Sequence, residues 1–501
     1  MLVHSRNSAA WCSLRSAFCR LSAGVLTGLA VAGTAWADPV PNPRVTGPIA
    51  SGIPNDASNN YPFFATEKAI NVKGYIEEEF FIEGQAKSYT TPPGDTATVL
   101  NEGNPYQTRI VVRRPFDEKN FNGNVMVEWY NVTAGADGEA DWFTSHEHLM
   151  DAGYAWVGVS AQRVGVDYLK TWSPVRYSAL DVTAGGTITD DSLSYDIFSQ
   201  AGQAIRNPVG IDPLGGLSRE RVVFADGESQ SAGRLAIYVN SIMPRGDIAY
   251  DAVILHSTTT VIRPDNAVKV MVVNAEYDAA GVTADRVQQD TDFLRIWEVA
   301  GTAHYDWDMQ MNRLPLQMRD QSASAAQVAQ CEVPQHFTRT PFKYVFNKAI
   351  DHVANWVRTG APPPIAPRLA VASYTPSSFG RPVSLVRDAF EIAQGGIRLP
   401  DVDVPTALNH GENRLASGVG NCALYGHWIP FSVQTLNQLY DSHREYVNKV
   451  AANVRANIRD GYINKDDGRE LIQQAMESGI GRAKKRGDPY IDFDTDPDFR
   501  N

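Results

Sequence analysis

Six short segments are almost continuously apolar: NVMVEWYNV (124–132), YAWVGVSAQ (154–162), RVVFADG (221–227), YDAVILHS (250–257), VKVMVVNAE (268–276) and FLRIWEVAG (293–301). A strand with one wet face would alternate apolar and polar residues. Runs like these instead fit strands buried on both faces, as in a parallel sheet covered by helices on either side. Between the runs lie stretches with helical spacing, Asp141 to Ala152, Tyr195 to Arg206 and Gln230 to Met243. Strands alternating with helices predict a doubly wound, mostly parallel α/β sheet. The chain has 501 residues, 43% of them hydrophobic, enough to fill a core of that size.

The flanks read differently. Residues 38–60 are rich in Pro, Gly and Asn and are expected to form an extended leader. Lys73 to Tyr89 and Gln107 to Phe116 mix alternating apolar positions with β-branched and aromatic residues, which predicts strands with one solvated face. Phe342 to Thr359 has the spacing of an amphipathic helix, stopped by Gly360 and the prolines at 362, 363 and 364. It is read as the last helix of a core spanning 61–360. The segment 361–482, with helices expected over Ser432 to Asp460 and Asp466 to Ser478, is an appended layer that could cover the site as a lid or simply extend the core. Residues 483–501 are read as a mobile tail.

Residues 1–37 carry arginines at 6, 15 and 20, an apolar run from Leu21 to Thr34, and Ala35-Trp36-Ala37 in small-x-small order. This is the layout of a cleaved export signal, and the run is too short to span a bilayer, so secretion or periplasmic release near Ala37 is expected without stable membrane insertion. Cys12 and Cys19 would leave with the signal, so Cys331 and Cys422 would remain as a disulfide pair in an oxidising compartment. The net charge of −12 argues against nucleic acid as a partner.

Chemistry concentrates in Gly227-Glu228-Ser229-Gln230-Ser231, between the run RVVF and a helical stretch. A serine on a sharp strand-to-helix turn exposes its hydroxyl, and the usual G-x-S-x-G spacing is met except that Ser231 replaces the second glycine. A serine needs a base, and the base an acid, in the chain order Ser, acid, His. His304, just after the last apolar run, is the expected base. His256 reads as structural, and His146 and His148 diverge on one helix, against a metal site. The acid is Asp278 or Glu276, with Asp278 preferred on its spacing past the strand end. The oxyanion would be held by the Gln230 N–H and by that of Asn131 or Val132, in the loop after NVMVEWY. Asn131-Val132-Thr133 is also a glycosylation sequon.

With these residues in place, the chain resembles a family of large exported alpha/beta hydrolase domain-containing proteins. The resemblance rests on VMVEWYNV, GYAWVGVSAQ, FADGESQSAGRLAIYVN, RIWEVAGTAHYD, GGIRLPDVDVPTA and IRDGYINKDDGRELIQQA. It implies a serine hydrolase with a long C-terminal extension, with Ser229 as nucleophile and His304 as base, and it leaves Asp278 and Glu276 both open. The expected function is hydrolysis of a small-molecule carboxylic ester without metal or organic cofactor. An amidase, peptidase or acyltransferase on the same triad and a non-catalytic binding protein are the alternatives. Oligomeric state is not legible.

Overall fold

The computed structural model describes residues 39–481 except 92–94, 219, 247, 267, 322–329, 335, 418 and 419. The expected export signal at 1–37 and the expected tail at 483–501 lie outside the described residues.

The six apolar runs form strands β4 (Asn124–Trp129), β5 (Ala155–Val159), β7 (Val222–Glu228), β8 (Ala252–His256), β9 (Lys269–Ala275) and β10 (Leu294–Val299). All are parallel, in the order β5-β4-β7-β8-β9-β10. Every residue of β4, β5, β7 and β8 is buried, which is why none of them alternates. From β4 the chain crosses to β5 in one direction, and from β7 to β8 in the other. Right-handed crossovers running in opposite directions put their helices on opposite faces of the sheet. Between β4 and β7 the connections therefore part, leaving a crevice at their C-terminal ends, the usual place for a ligand in such sheets.

On the β5 side four more strands complete the sheet: β3 (Val99–Pro115), β2 (Tyr75–Tyr89), β1 (Arg44–Thr46) and β6 (Val209–Gly210). Two departures from expectation appear here. The leader contributes β1, antiparallel to β2, and β3 begins at Val99 rather than Gln107. After Val99 and Leu100 the first residues of β3, Asn101 to Pro105, are mostly polar and largely exposed, so this part of the strand carries no apolar alternation.

The helix Phe342–Thr359 buries one face on the sheet and ends where Gly360, at φ 77°, returns its N–H to the Trp356 carbonyl. The extension then packs along β10: Ile397 exchanges backbone hydrogen bonds with Glu298 and Ala300, covering what would be an open sheet edge. Its helices His443–Asp460 and Lys465–Glu477 pack on each other. Asn464 at the start of the second makes no side-chain cap; instead it bonds Asp351 and Lys348 of the core helix. Among the described residues no helix is long and apolar enough to cross a membrane.

Cys331 and Cys422 lie within disulfide distance, with Cα atoms 5.4 Å apart. The bond would close a loop of 91 residues. In the chain-entropy description such closure stabilises by roughly 4 kcal/mol. Cys422→Ser is therefore expected to lower the urea midpoint of the oxidised protein, and reduction to lower the wild type to the same value. Equal midpoints for oxidised wild type and variant would exclude a bond there.

Candidate active site

Strand β7 ends at Glu228, and the helix Gln230–Ile237 begins two residues on, so the whole reversal falls on Ser229. Its backbone sits at φ 56°, ψ −111°, a conformation that costs a non-glycine residue energy and is retained where neighbours hold it. The Ser229 N–H donates to the His256 carbonyl at 2.9 Å, and its carbonyl accepts from the Gly233 N–H at 2.9 Å. Gly227 is needed for close approach: a Cβ there would stand 2.9 Å from Ser231 Oγ. Ser231, in place of the second glycine, is fully buried and donates its hydroxyl to the Glu228 carbonyl at 2.8 Å, tying the turn.

His304 follows β10 in a loop that reaches back over the same sheet edge. Its Nε2 lies 2.7 Å from Ser229 Oγ, and its Nδ1 lies 2.7 Å from Asp278 Oδ1. Asp278 stands in a single turn, Glu276–Ala279, directly after β9. Glu276 is elsewhere. Its buried carboxylate accepts from the Gly301 N–H at 2.7 Å and the Gly411 N–H at 3.1 Å, and pairs with Arg387 at 2.9 Å. It thus joins the β10 loop to the extension. His256 is also apart, buried with Nδ1 2.6 Å from Asp141 and its ring stacked on Phe342. His146 is buried beside Trp142, while His148 bonds Asp351.

A second carboxylate reaches the histidine. Glu228 Oε1 lies 3.1 Å from His304 Nε2, on the side that faces Ser229. Its other oxygen accepts from the Asn131 amide at 2.9 Å. Burial works against charge on His304, but the Asp278 and Glu228 carboxylates overcome it and raise the imidazole to about 9. Burial likewise opposes charge on Asp278, yet His304 and Arg381 hold it below the usual carboxylate range. Glu228 moves the other way, pushed up by burial more than His304 pulls it down. The residue preceding the serine was not singled out from sequence. The available signal was an ionisable side chain closing a strand whose every position is buried.

The loop after β4 is held from below. Asn131 and Gly138 exchange backbone hydrogen bonds at 3.0 and 2.8 Å, so the Asn131 N–H is already used. The Val132 N–H meets only the Gln230 side-chain oxygen, at 3.3 Å, while the Gln230 amide donates to Gln162 at 3.0 Å. Asp137 pairs with Arg109 at 3.0 Å, and Glu139 with Arg113 at 2.8 Å. Both arginines come from β3 and are buried, and the Arg113 guanidinium lies over the rings of both Trp142 and Trp156. The loop is thereby fixed to the sheet. The Asn131 side chain of the sequon is engaged with Glu228 inside the site.

Ser229, Glu228 and His304 open onto a cavity of about 500 Å³. One wall is the helix Trp307–Asp320, which presents Met309, Gln310, Arg313, Leu314 and Gln317; another is Phe337 with Leu424 and Tyr425 of the extension. Cys422 opens the turn Cys422–Tyr425, so the cysteine pair anchors this wall.

The sequence profile of the alpha/beta hydrolase domain family matches residues 45–473. Among solved structures, a dienelactone hydrolase from Anabaena variabilis is 11% identical, covering 47% of this chain and 96% of its own, with a TM-score of 0.27. XC6422 from Xanthomonas campestris, described as a serine hydrolase without a lid, is 11% identical over 49% of this chain and 97% of its own, TM-score 0.26. Est1E from Butyrivibrio proteoclasticus is 10% identical over 46% and 96%, TM-score 0.24. A search of curated protein sequences gives no match.

Proposed function

Since the chain belongs to the alpha/beta hydrolase domain family, we propose that it is an exported serine hydrolase acting on carboxylic esters through Ser229, His304 and Asp278. The observation that carries this reading is the strained turn at Ser229, whose hydroxyl meets His304 while the far nitrogen of the same ring meets Asp278. A surface serine in a loop needs neither the strain nor the relay.

In the proposed reaction His304 Nε2 takes the Ser229 proton as Oγ attacks the ester carbonyl. Asp278 holds the ring so that Nδ1 carries its proton, and it stabilises the imidazolium that forms. The new C–O bond turns the carbonyl into a tetrahedral oxyanion. The Gln230 N–H, at the first position of its helix, and the Val132 N–H are its donors. Asn131 is the weaker choice because its N–H is bound to Gly138. For Val132 the substrate oxygen would displace the long contact from the Gln230 side chain. Collapse expels the alcohol, protonated by His304, and leaves an acyl-Ser229. Water, deprotonated by the same ring, then releases the acid. The arrangement runs without a cofactor. Export is supported by the layout of residues 1–37 and the spacing of the cysteine pair.

A fluorophosphonate probe is expected to label the wild type and not Ser229→Ala. A panel of 4-nitrophenyl esters of rising acyl length, run beside a 4-nitroanilide, is expected to show turnover of esters well above the amide. Absence of labelling in folded wild type would refute the catalytic reading and favour a binding protein. Faster amide turnover would favour an amidase.

A further inference from the structure

The helical wall of the cavity carries a cation that the proposed reaction does not use. Arg313 projects from the helix Trp307–Asp320 into the same cavity as Ser229 and His304. Its Nε is buried and has no hydrogen-bond partner among the described residues, and its guanidinium lies 5.9 Å from the Tyr305 ring centroid. No carboxylate forms an ion pair with it among the described residues. Among the buried arginines Arg109, Arg113 and Arg176 each hold at least one glutamate or aspartate, and Arg295, without one, donates to the backbone carbonyls of Pro363 and Leu294. Glu228, the acidic residue lining the cavity, is engaged with Asn131 and His304. A partly buried guanidinium with an unused donor bears a desolvation cost that an anion in the cavity would offset.

The surroundings add shape to this charge. Tyr305, Phe337 and Tyr425 form an aromatic cluster, with Phe337 and Tyr425 centroids 4.4 Å apart and Tyr305 about 6 Å from each. The Tyr305 hydroxyl is buried too, and its nearest charge is Arg313, which offsets part of the burial that raises the phenol. The chain as a whole carries a charge of −12, so attraction for an anion has to be local.

We infer that the site selects esters that bear a second, free carboxylate, with Arg313 binding that carboxylate against the aromatic wall while Ser229 attacks the ester. The inference rests on the hydrolase reading above. An arginine presents paired N–H donors in a plane, which suits a carboxylate better than any neutral group of its size.

The carboxylate can belong to the acyl or to the alcohol part, and two substrate pairs separate these. One is 4-nitrophenyl hemiadipate against its methyl ester; the other is 4-acetoxybenzoate against its methyl ester, followed by acetate release. In the wild type, kcat/KM for the free acid is expected to exceed that for the methyl ester at least tenfold in one pair, and that pair identifies which part is bound. In Arg313→Met the ratio is expected to fall to near one, and in Arg313→Lys to lie between. Ratios at or below one in both pairs, or a ratio unchanged in Arg313→Met, would overturn the inference while leaving the hydrolase intact. Failure of folded wild type to cleave any of the four substrates, together with no fluorophosphonate labelling, would overturn the hydrolase reading and this inference with it.

Discussion

Asp278→Asn is expected to lower kcat for ester hydrolysis by roughly 10⁴-fold with little loss of stability, whereas Glu276→Gln is expected to do the reverse. An asparagine at 278 keeps the size of the side chain but can present its amide to Nδ1, favouring the tautomer whose Nε2 carries the proton and cannot accept one from Ser229. Among the described residues nothing else fixes that tautomer, since Nδ1 is hydrogen-bonded to Asp278 alone. Glu276, by contrast, touches no part of the relay. Its buried charge answers Arg387 and two backbone N–H groups, and removing one partner of a buried ion pair costs about 3–5 kcal/mol. Steady-state kinetics and urea unfolding on the two variants separate the roles. A loss of kcat at Glu276→Gln that matched Asp278→Asn, without loss of stability, would reverse the assignment.

Glu228→Gln is expected to move the acid limb of the kcat/KM profile to lower pH. The general base works as neutral imidazole, so activity rises as pH passes upward through the His304 pKa of the free enzyme. That pKa stands at about 9 because two carboxylates favour the protonated ring. Removing the Glu228 charge takes away one of them, so the limb should fall below about 9 yet stay above the ordinary value of 6.5, held by Asp278. The variant should then be faster than wild type near pH 7, where more of its histidine is neutral, and lose that advantage at high pH. Glutamine keeps an acceptor for the Asn131 amide, so the change tests charge rather than geometry. Glu228→Ala moving the limb the same way would support this, and a limb that stayed in place or rose in Glu228→Gln would refute it.

Much of the fold could be read from apolar patterning alone, because burial on both faces leaves no alternation. Each of the six runs proved to be a parallel strand, since a strand inside such a sheet has no solvent face to record. The leader strand and the first half of β3 were not legible, because pairing by backbone hydrogen bonds at a sheet edge asks little of the side chains. Ser229 and His304 could be named because local spacing and chain order constrain a strand-to-helix turn and the loop that follows the last strand.

Asp278 and Glu276 sit two residues apart, and no periodicity separates them. The choice fell to a single helical turn after β9, which points one carboxylate at His304 and the other at Gly301, Gly411 and Arg387. Glu228 and Arg313 are further cases. One is an acid in a fully buried strand and the other a basic residue on an amphipathic helix, and neither has a local signal that distinguishes structure from chemistry. Their meaning comes from the cavity they share, in which Glu228 meets His304 and Arg313 shares the lining with Ser229, each over 70 residues away in the chain. By itself the sequence determined where strands, turn and nucleophile lie, since these depend on local burial and backbone conformation. Tertiary structure decided which charges meet, because electrostatic partners are chosen by distance through space and not along the chain.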